Sequence, residues 1–199
     1  MQGVVGRASY TFHLSELHGG AAGKHDHNGY TIVNSKSRAP VLAAIHEIGQ
    51  ALDAVFLNSA QLGASPDDPP WEYATDMAEA VEGTPDAGET LLCDWLSSVR
   101  VTSNHLNLAR ARREPTISRG QADQIKKLLK SRELWARCYE LFIAIRCSDK
   151  EVRRKMAAER HEFAQIGSTV VYSYWQPGDF DAVEGSIEQA FMRLGWLAR

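Results

Sequence analysis

Five consecutive residues, His46-Glu47-Ile48-Gly49-Gln50, combine an imidazole, a carboxylate and an amide inside VLAAIHEIGQALDAVFLNSA. The apolar residues of that stretch, Val41, Ile45, Ile48, Leu52 and Val55, recur at helical spacing, and Pro40 suits a helix start. On a helix turning about 100° per residue, positions i and i+4 lie roughly 40° apart, so His46 and Gln50 can grip one ion between them. In the pattern His-Glu-x-x-His both grips are imidazoles on zinc, and the glutamate beside the first serves as general base toward water activated by the ion. Here Gln50 takes the second grip, and a neutral amide oxygen is a poorer zinc donor than an imidazole nitrogen. Asp53, seven residues after His46, returns to within about 20° of the same face, where it can orient the histidine ring or approach the ion itself. With apolar residues flanking this group, burial without partners would be costly, so His46, Glu47 and Asp53 are expected to share one polar site.

The elements that must position these residues can be read in outline. Residues 10–14 and 30–33 are rich in β-branched and aromatic types and read as a two-stranded hairpin, with the turn-rich HGGAAGKHDHNG between them. His25 and His27 have His-x-His spacing but sit in that Gly-rich connection, which favours solvation over metal binding; His13 and His18 carry no pattern. LGASPDDPP ends the first helix, because three prolines within five residues cannot continue it. Further helices are expected over 71–81, 89–112, 121–130, 132–146, 149–165 and 180–197, with 168–175 a strand or extended loop. His105 and His161 then fall on charged helices and read as surface residues. The tail aromatics Tyr172, Tyr174, Trp175, Phe180, Phe191 and Trp196 read as core packing.

Composition narrows the class. The 199 residues carry 22 basic and 25 acidic side chains, a formal charge of -3, and 44% apolar residues, which suits one domain with a packed core. No run approaches the roughly 18 apolar residues of a membrane span, and MQGVVGRASY lacks the apolar centre of a secretion signal, so a soluble intracellular protein is expected. Cys93, Cys138 and Cys147 are an odd, widely spaced set and read as reduced thiols. Residues 47–94 hold eleven carboxylates and no lysine or arginine, whereas 100–137 hold ten basic residues against Glu114, Asp123 and Glu133. Internal neutralisation of these two runs is the simpler expectation; a basic stripe for nucleic acid, using Arg110, Arg112, Arg113, Lys126 and Lys127, is the other.

The segment around His46 resembles the phage and polyvalent-protein metallopeptidase family of gluzincin type, whose helix reads His-Glu-x-Gly-His-x-x-Asp. The chain matches at His46, Glu47, Gly49 and Asp53 and departs at Gln50. LLKSRELWARCYELFIAIR is similar to the family's later helix, through Ser131, Glu133, Leu134, Trp135, Ala136, Arg137 and Glu140, with the serine one residue closer to the glutamate than the pattern asks. YWQPGDFDAVEGSIEQAFMRLGWL is similar to the closing segment of these domains, which are often appended to tailed-phage head-morphogenesis proteins.

The resemblance implies one zincin-like domain over 1–199, of mostly helical α+β class with a small N-terminal β-sheet. It implies zinc held by His46, Gln50 and Glu133, with Glu47 as catalytic base and Asp53, Arg137 and Glu140 in support. Glu133 has an alternative as a surface partner of Arg137 at i+4, Arg137 as a helix-surface charge, and Glu140 as a substitute ligand. The implied activity is peptide-bond hydrolysis, or its loss in a virion or protein-interaction module. Partners would be a protein or peptide substrate or phage structural proteins, in the host cytoplasm or the virion.

Overall fold

The computed structural model describes residues 11–15, 23–26, 30–34, 36–53, 74–81 and 92–197. The fold is mostly helical α+β, as expected. Strands β1 (Thr11–Ser15), β2 (Gly23–Asp26) and β3 (Tyr30–Asn34) form a sheet of order β1-β3-β2. The expected hairpin of the first and last of these is not what forms: β1 runs parallel to β3, with Thr11 opposite Tyr30. The antiparallel edge of β3 is taken by β2, in the segment read as turn chemistry, where Asp26 pairs with Tyr30. A three-residue connection can return a chain antiparallel at once, which leaves β1 only the other edge. His25 therefore lies on a strand rather than in a loop. His18, His27, the segment 62–70 and the continuation of the first helix over 54–60 lie outside the described residues.

Asn34 ends β3 and turns the chain: its carbonyl accepts from Ser37 N at 2.9 Å and its side chain from Lys36 N at 3.0 Å. Helix α1 (Pro40–Ala51) follows with proline in its first turn, where the missing N–H costs nothing. Then come α2 (Ala74–Val81), α3 (Cys93–Arg100), α4 (Ser103–Ala111), α5 (Arg119–Leu128), α6 (Ser131–Arg146) and α7 (Lys150–His161). A hairpin of β4 (Phe163–Ile166) and β5 (Thr169–Tyr172) precedes the last helix, α8 (Asp181–Arg193).

Two expected helices are shorter than their periodicity suggests. The span 89–112 breaks into α3 and α4 because Thr102 adopts extended backbone and caps α4, accepting from His105 N. The span 149–165 stops at His161, and its last residues pair instead as β4, Phe163 opposite Tyr172. Gly167 supplies the left-handed backbone, at φ 56°, that the tight Gly167-Ser168 connection between β4 and β5 requires.

The main core lies around α6. Trp135 meets Trp95 edge to face at 5.3 Å between ring centres and Phe191 at 6.2 Å, with Leu134, Cys138, Leu141, Trp175 and Ile187 buried about them. A smaller cluster, Leu108, Ala111, Ile125, Ile166 and Val171, joins α4 and α5 to the hairpin. Cys138 and Cys147 are free thiols, and Cys93 Sγ donates to Ala78 O at 3.7 Å. Among the described residues no helix is long and apolar enough to cross a membrane.

Candidate functional site

Helices α1 and α6 meet at Gly49. A Cβ at that position would stand 3.1 Å from Ala136 Cα and 3.1 Å from Tyr139 Cδ1, so a bare backbone is what permits this approach. Trp135 Nε1–H then donates to Gly49 O at 3.0 Å and fixes the crossing. This close seat presents the polar face of α1 to Glu133, Arg137 and Glu140, three residues that share one face of α6 and are all buried.

His46 lies at the centre of this layer. Its Nδ1 is 3.2 Å from Glu140 Oε2, and that same oxygen accepts from Tyr174 O–H at 2.6 Å. On the other edge of the ring, Nε2 is 3.2 Å from the Gln50 amide and 3.7 Å from Glu133 Oε1. Burial is the largest single influence on His46 and opposes its charge. The hydrogen bond to Glu140 and the charges of Glu140, Glu133 and Glu47 together outweigh it and raise the imidazole above its ordinary value of 6.5.

Glu47 is buried, and its Oε2 has no hydrogen-bond partner. Burial raises its carboxyl above the ordinary range, opposed by His46, reinforced by Glu133 and Glu140, and relieved in part by Lys127. Three carboxylates thus surround a single imidazole in a place largely closed to water. The His46 imidazole and, more weakly, Lys127 offset the charge at Glu47, and the Arg137 guanidinium is buried on the same face of α6 as Glu133 and Glu140.

The donor set fits a tetrahedral ion in part. Two ligands at about 2.0–2.1 Å from zinc stand about 3.3 Å from each other, close to the 3.2 and 3.7 Å that separate His46 Nε2 from the Gln50 amide and Glu133. An amide can present its oxygen from the same place by a flip. Even so, among the described residues no group of three or more His, Cys, Asp or Glu is arranged to hold a metal ion. The geometry explains why. The third corner is the amide of Gln50, and Glu140 approaches the opposite edge of the imidazole, so it does not substitute as a ligand on the Nε2 side.

Two supporting residues behave differently from expectation. Asp53 is fully buried, but both its oxygens serve Thr75 on α2, accepting from Thr75 N at 3.0 Å and Thr75 Oγ1 at 2.7 Å. Regular α1 ends at Ala51, and Asp53, two residues on, is engaged by Thr75 rather than by His46. Glu140 takes the ring-orienting position instead. Burial, against the Thr75 hydrogen bonds, pushes Asp53 up to about 7.

Arg137 is 3% exposed rather than a helix-surface charge. Its guanidinium lies over the rings of Tyr174 and Trp175, 5.4 and 5.0 Å from their centres, and neither terminal nitrogen has a hydrogen-bond partner. Tyr174 reaches the site from the tail, where its residue type had pointed only to packing. No spacing rule connects residue 174 with residue 140, so no local signal marked it.

Of the other histidines whose side chains are described, His161 is exposed at the end of α7, and His105 lies half-buried on α4, its imidazole lowered by burial and then by Arg100. Part of the acidic run faces part of the basic run. Glu79 Oε1 pairs with Arg100 at 3.3 Å, Glu79 Oε2 accepts from Ser131 Oγ at 2.8 Å, and the charges of Arg132 and Lys130 act on Asp76. Arg110, Arg112, Arg113, Lys126 and Lys127 are exposed on or beside α4 and α5.

Comparison with protein-family models, with curated proteins and with solved structures returns no match for this chain.

Proposed function

We propose that the chain is a zincin-like domain that binds a divalent metal of zinc type between α1 and α6 and acts on peptide bonds. The supporting observation is the convergence of His46 Nε2, the Gln50 amide and Glu133 Oε1, brought from positions more than eighty residues apart in the chain onto one side of an imidazole. His46 and Glu133 would hold the ion, with the Gln50 amide oxygen as a weak third donor. When bound, such an ion supplies Lewis-acid polarisation of a scissile carbonyl and makes water acidic enough to attack it near neutral pH.

The chain's own residues do the rest. Glu140 accepts from His46 Nδ1–H and keeps the Nε2 lone pair toward Glu133. Glu47, with one oxygen unpartnered and its carboxyl raised by burial, takes a proton from water and returns it to the leaving amine. The resemblance to phage-associated metallopeptidases makes the partner a protein or peptide substrate, or phage structural proteins, in the host cytoplasm or in the virion.

Gln50 favours a second reading, a catalytically inactive module that keeps the same architecture for protein interaction. The two separate by elemental analysis and calorimetry. A peptidase retains or takes up one zinc per chain and hydrolyses a peptide library in a manner abolished by Glu47→Gln. No zinc uptake at millimolar metal would overturn the metal-site reading, and uptake without hydrolysis would select the inactive module.

A further inference from the structure

We propose that Tyr174 is a positioning residue of this site, acting through Glu140 to hold the His46 ring with its Nε2 turned toward Glu133 and Gln50. The inference rests on the metal-site reading for its purpose, but not for its geometry. Tyr174 lies just beyond β5 on a segment tied at both ends. Ser173 N donates to Glu162 O at 3.1 Å, Trp175 Nε1 to Thr102 Oγ1 at 3.0 Å, and Arg160 Nε to Trp175 O at 2.8 Å. The Arg137 guanidinium lies across both rings and limits their movement. The phenol is thus held by groups unconnected with α1.

Its hydroxyl donates to Glu140 Oε2 at 2.6 Å, a short charge-assisted bond, and that oxygen is the one beside His46 Nδ1. A phenylalanine would fill the same ring position under Arg137; what the hydroxyl adds is the grip on Glu140. A carboxylate held by one donor alone can swing about its own side-chain bonds. Held by Tyr174 from the tail and by its own backbone on α6, Glu140 presents a fixed acceptor to Nδ1. A neutral imidazole whose Nδ1–H faces that acceptor must carry its lone pair on Nε2, the atom that a metal ion requires. Burial and the neighbouring Glu140 charge raise the phenol well above its ordinary value of 10.0, so the hydroxyl stays protonated and remains a donor.

The test is Tyr174→Phe in the full chain, with the side-chain nitrogens of ¹⁵N-histidine observed by NMR in the metal-free protein and zinc affinity measured separately by calorimetry. At a pH above the raised His46 transition, where the ring is neutral, the parent protein should show Nδ1 protonated and Nε2 as the bare nitrogen. In Tyr174→Phe the two signals should move toward a mixture of tautomers, and zinc affinity should fall by about 10-fold, as for loss of an outer partner of a metal-bound histidine. Glu140→Ala, which removes the intermediate group, should move the same signals at least as far, and it serves as the second variant if the phenylalanine protein folds poorly. An unchanged His46 tautomer in either folded variant would reduce Tyr174 to a packing residue and overturn the inference. A shifted tautomer in a protein that takes up no zinc would uphold the positioning role while removing the metal-site reading, so the two failures are distinguishable.

Discussion

Between α1 and α6 the buried layer contains His46, Glu47, Glu133, Arg137 and Glu140, whereas beneath the β4–β5 hairpin it consists of Leu108, Ala111, Ile125, Ile166 and Val171. Helices α4 and α5 leave Arg110, Arg112, Arg113, Lys126 and Lys127 in solvent. In the satellite cluster burial follows hydrophobicity and needs no further account. At the α1–α6 crossing it runs against it: buried charges destabilise unless paired, and here Glu47 Oε2 and both terminal nitrogens of Arg137 remain unpartnered.

The largest effect that would sharpen this contrast is the pH dependence carried by Asp53. Its folded value, about 7, lies above the ordinary 3.8, so the native state holds the proton more tightly than the unfolded chain. The resulting penalty is absent below about pH 4, grows as pH rises through 7 and is constant above it. At about 1.36 kcal/mol per unit it amounts to roughly 4 kcal/mol. Urea unfolding of the parent and Asp53→Asn at pH 4, 6 and 8 should show the stability difference moving in favour of asparagine by that order. A constant difference would mean that Asp53 stays ionised throughout.

Next is Gly49→Leu, which forces side-chain atoms into Ala136 and Tyr139 and should lower stability by up to ~3 kcal/mol, as overpacking does. Its counterpart in the other region is Gly120→Ala on α5, where an added Cβ meets nothing within 4 Å and helix propensity should raise stability by up to ~1 kcal/mol. Equal thermal shifts from the two would erase the distinction between the crossings.

Smaller again is repair of the third corner. Gln50→His places two imidazoles one helical turn apart, beside Glu133, and should tighten zinc binding at least 10-fold, about 1.4 kcal/mol. Calorimetry showing equal zinc affinity for parent and variant would mean that the site is not a damaged metal centre. In the satellite region, Ser118→Ala removes one half of the capping box with Gln121 at the start of α5 and should cost ~1 kcal/mol in chemical denaturation, with zinc binding unchanged. Smallest is Arg112→Glu with Arg113→Glu, exposed positions at which stability should move by no more than ~0.5 kcal/mol. A larger loss would show that the basic run is neutralised internally over more of its length than Glu79 and Asp76 account for.

The sequence by itself determined where helices α1 and α6 run, although α1 buries Leu42, Ala43, Gly49 and Ala51 and leaves Val41 exposed instead of burying the face through Val41, Ile45 and Ile48. The period through Ile45 and Ile48 with Pro40 in front marks α1, and the period through Leu134, Cys138 and Leu141 marks α6, because side chains three and four residues apart must share a face whatever surrounds them. It also placed Glu133, Arg137 and Glu140 on one side of α6, for the same reason. What it did not contain was any distance between elements. The break at Thr102 depends on a hydroxyl shared with Trp175, seventy-three residues away, and the strand β4 depends on Tyr172 and Val171 as partners. The parallel pairing of β1 with β3 depends on β2 occupying the other edge. The exchange of roles between Asp53 and Glu140 depends on which donor, Thr75 or His46, each carboxylate meets. Periodicity is a property of one element and survives in its sequence; hydrogen-bond partners chosen across elements belong to the packed structure, and only the approach of α1 to α6 over Gly49 decided which of these polar residues touch.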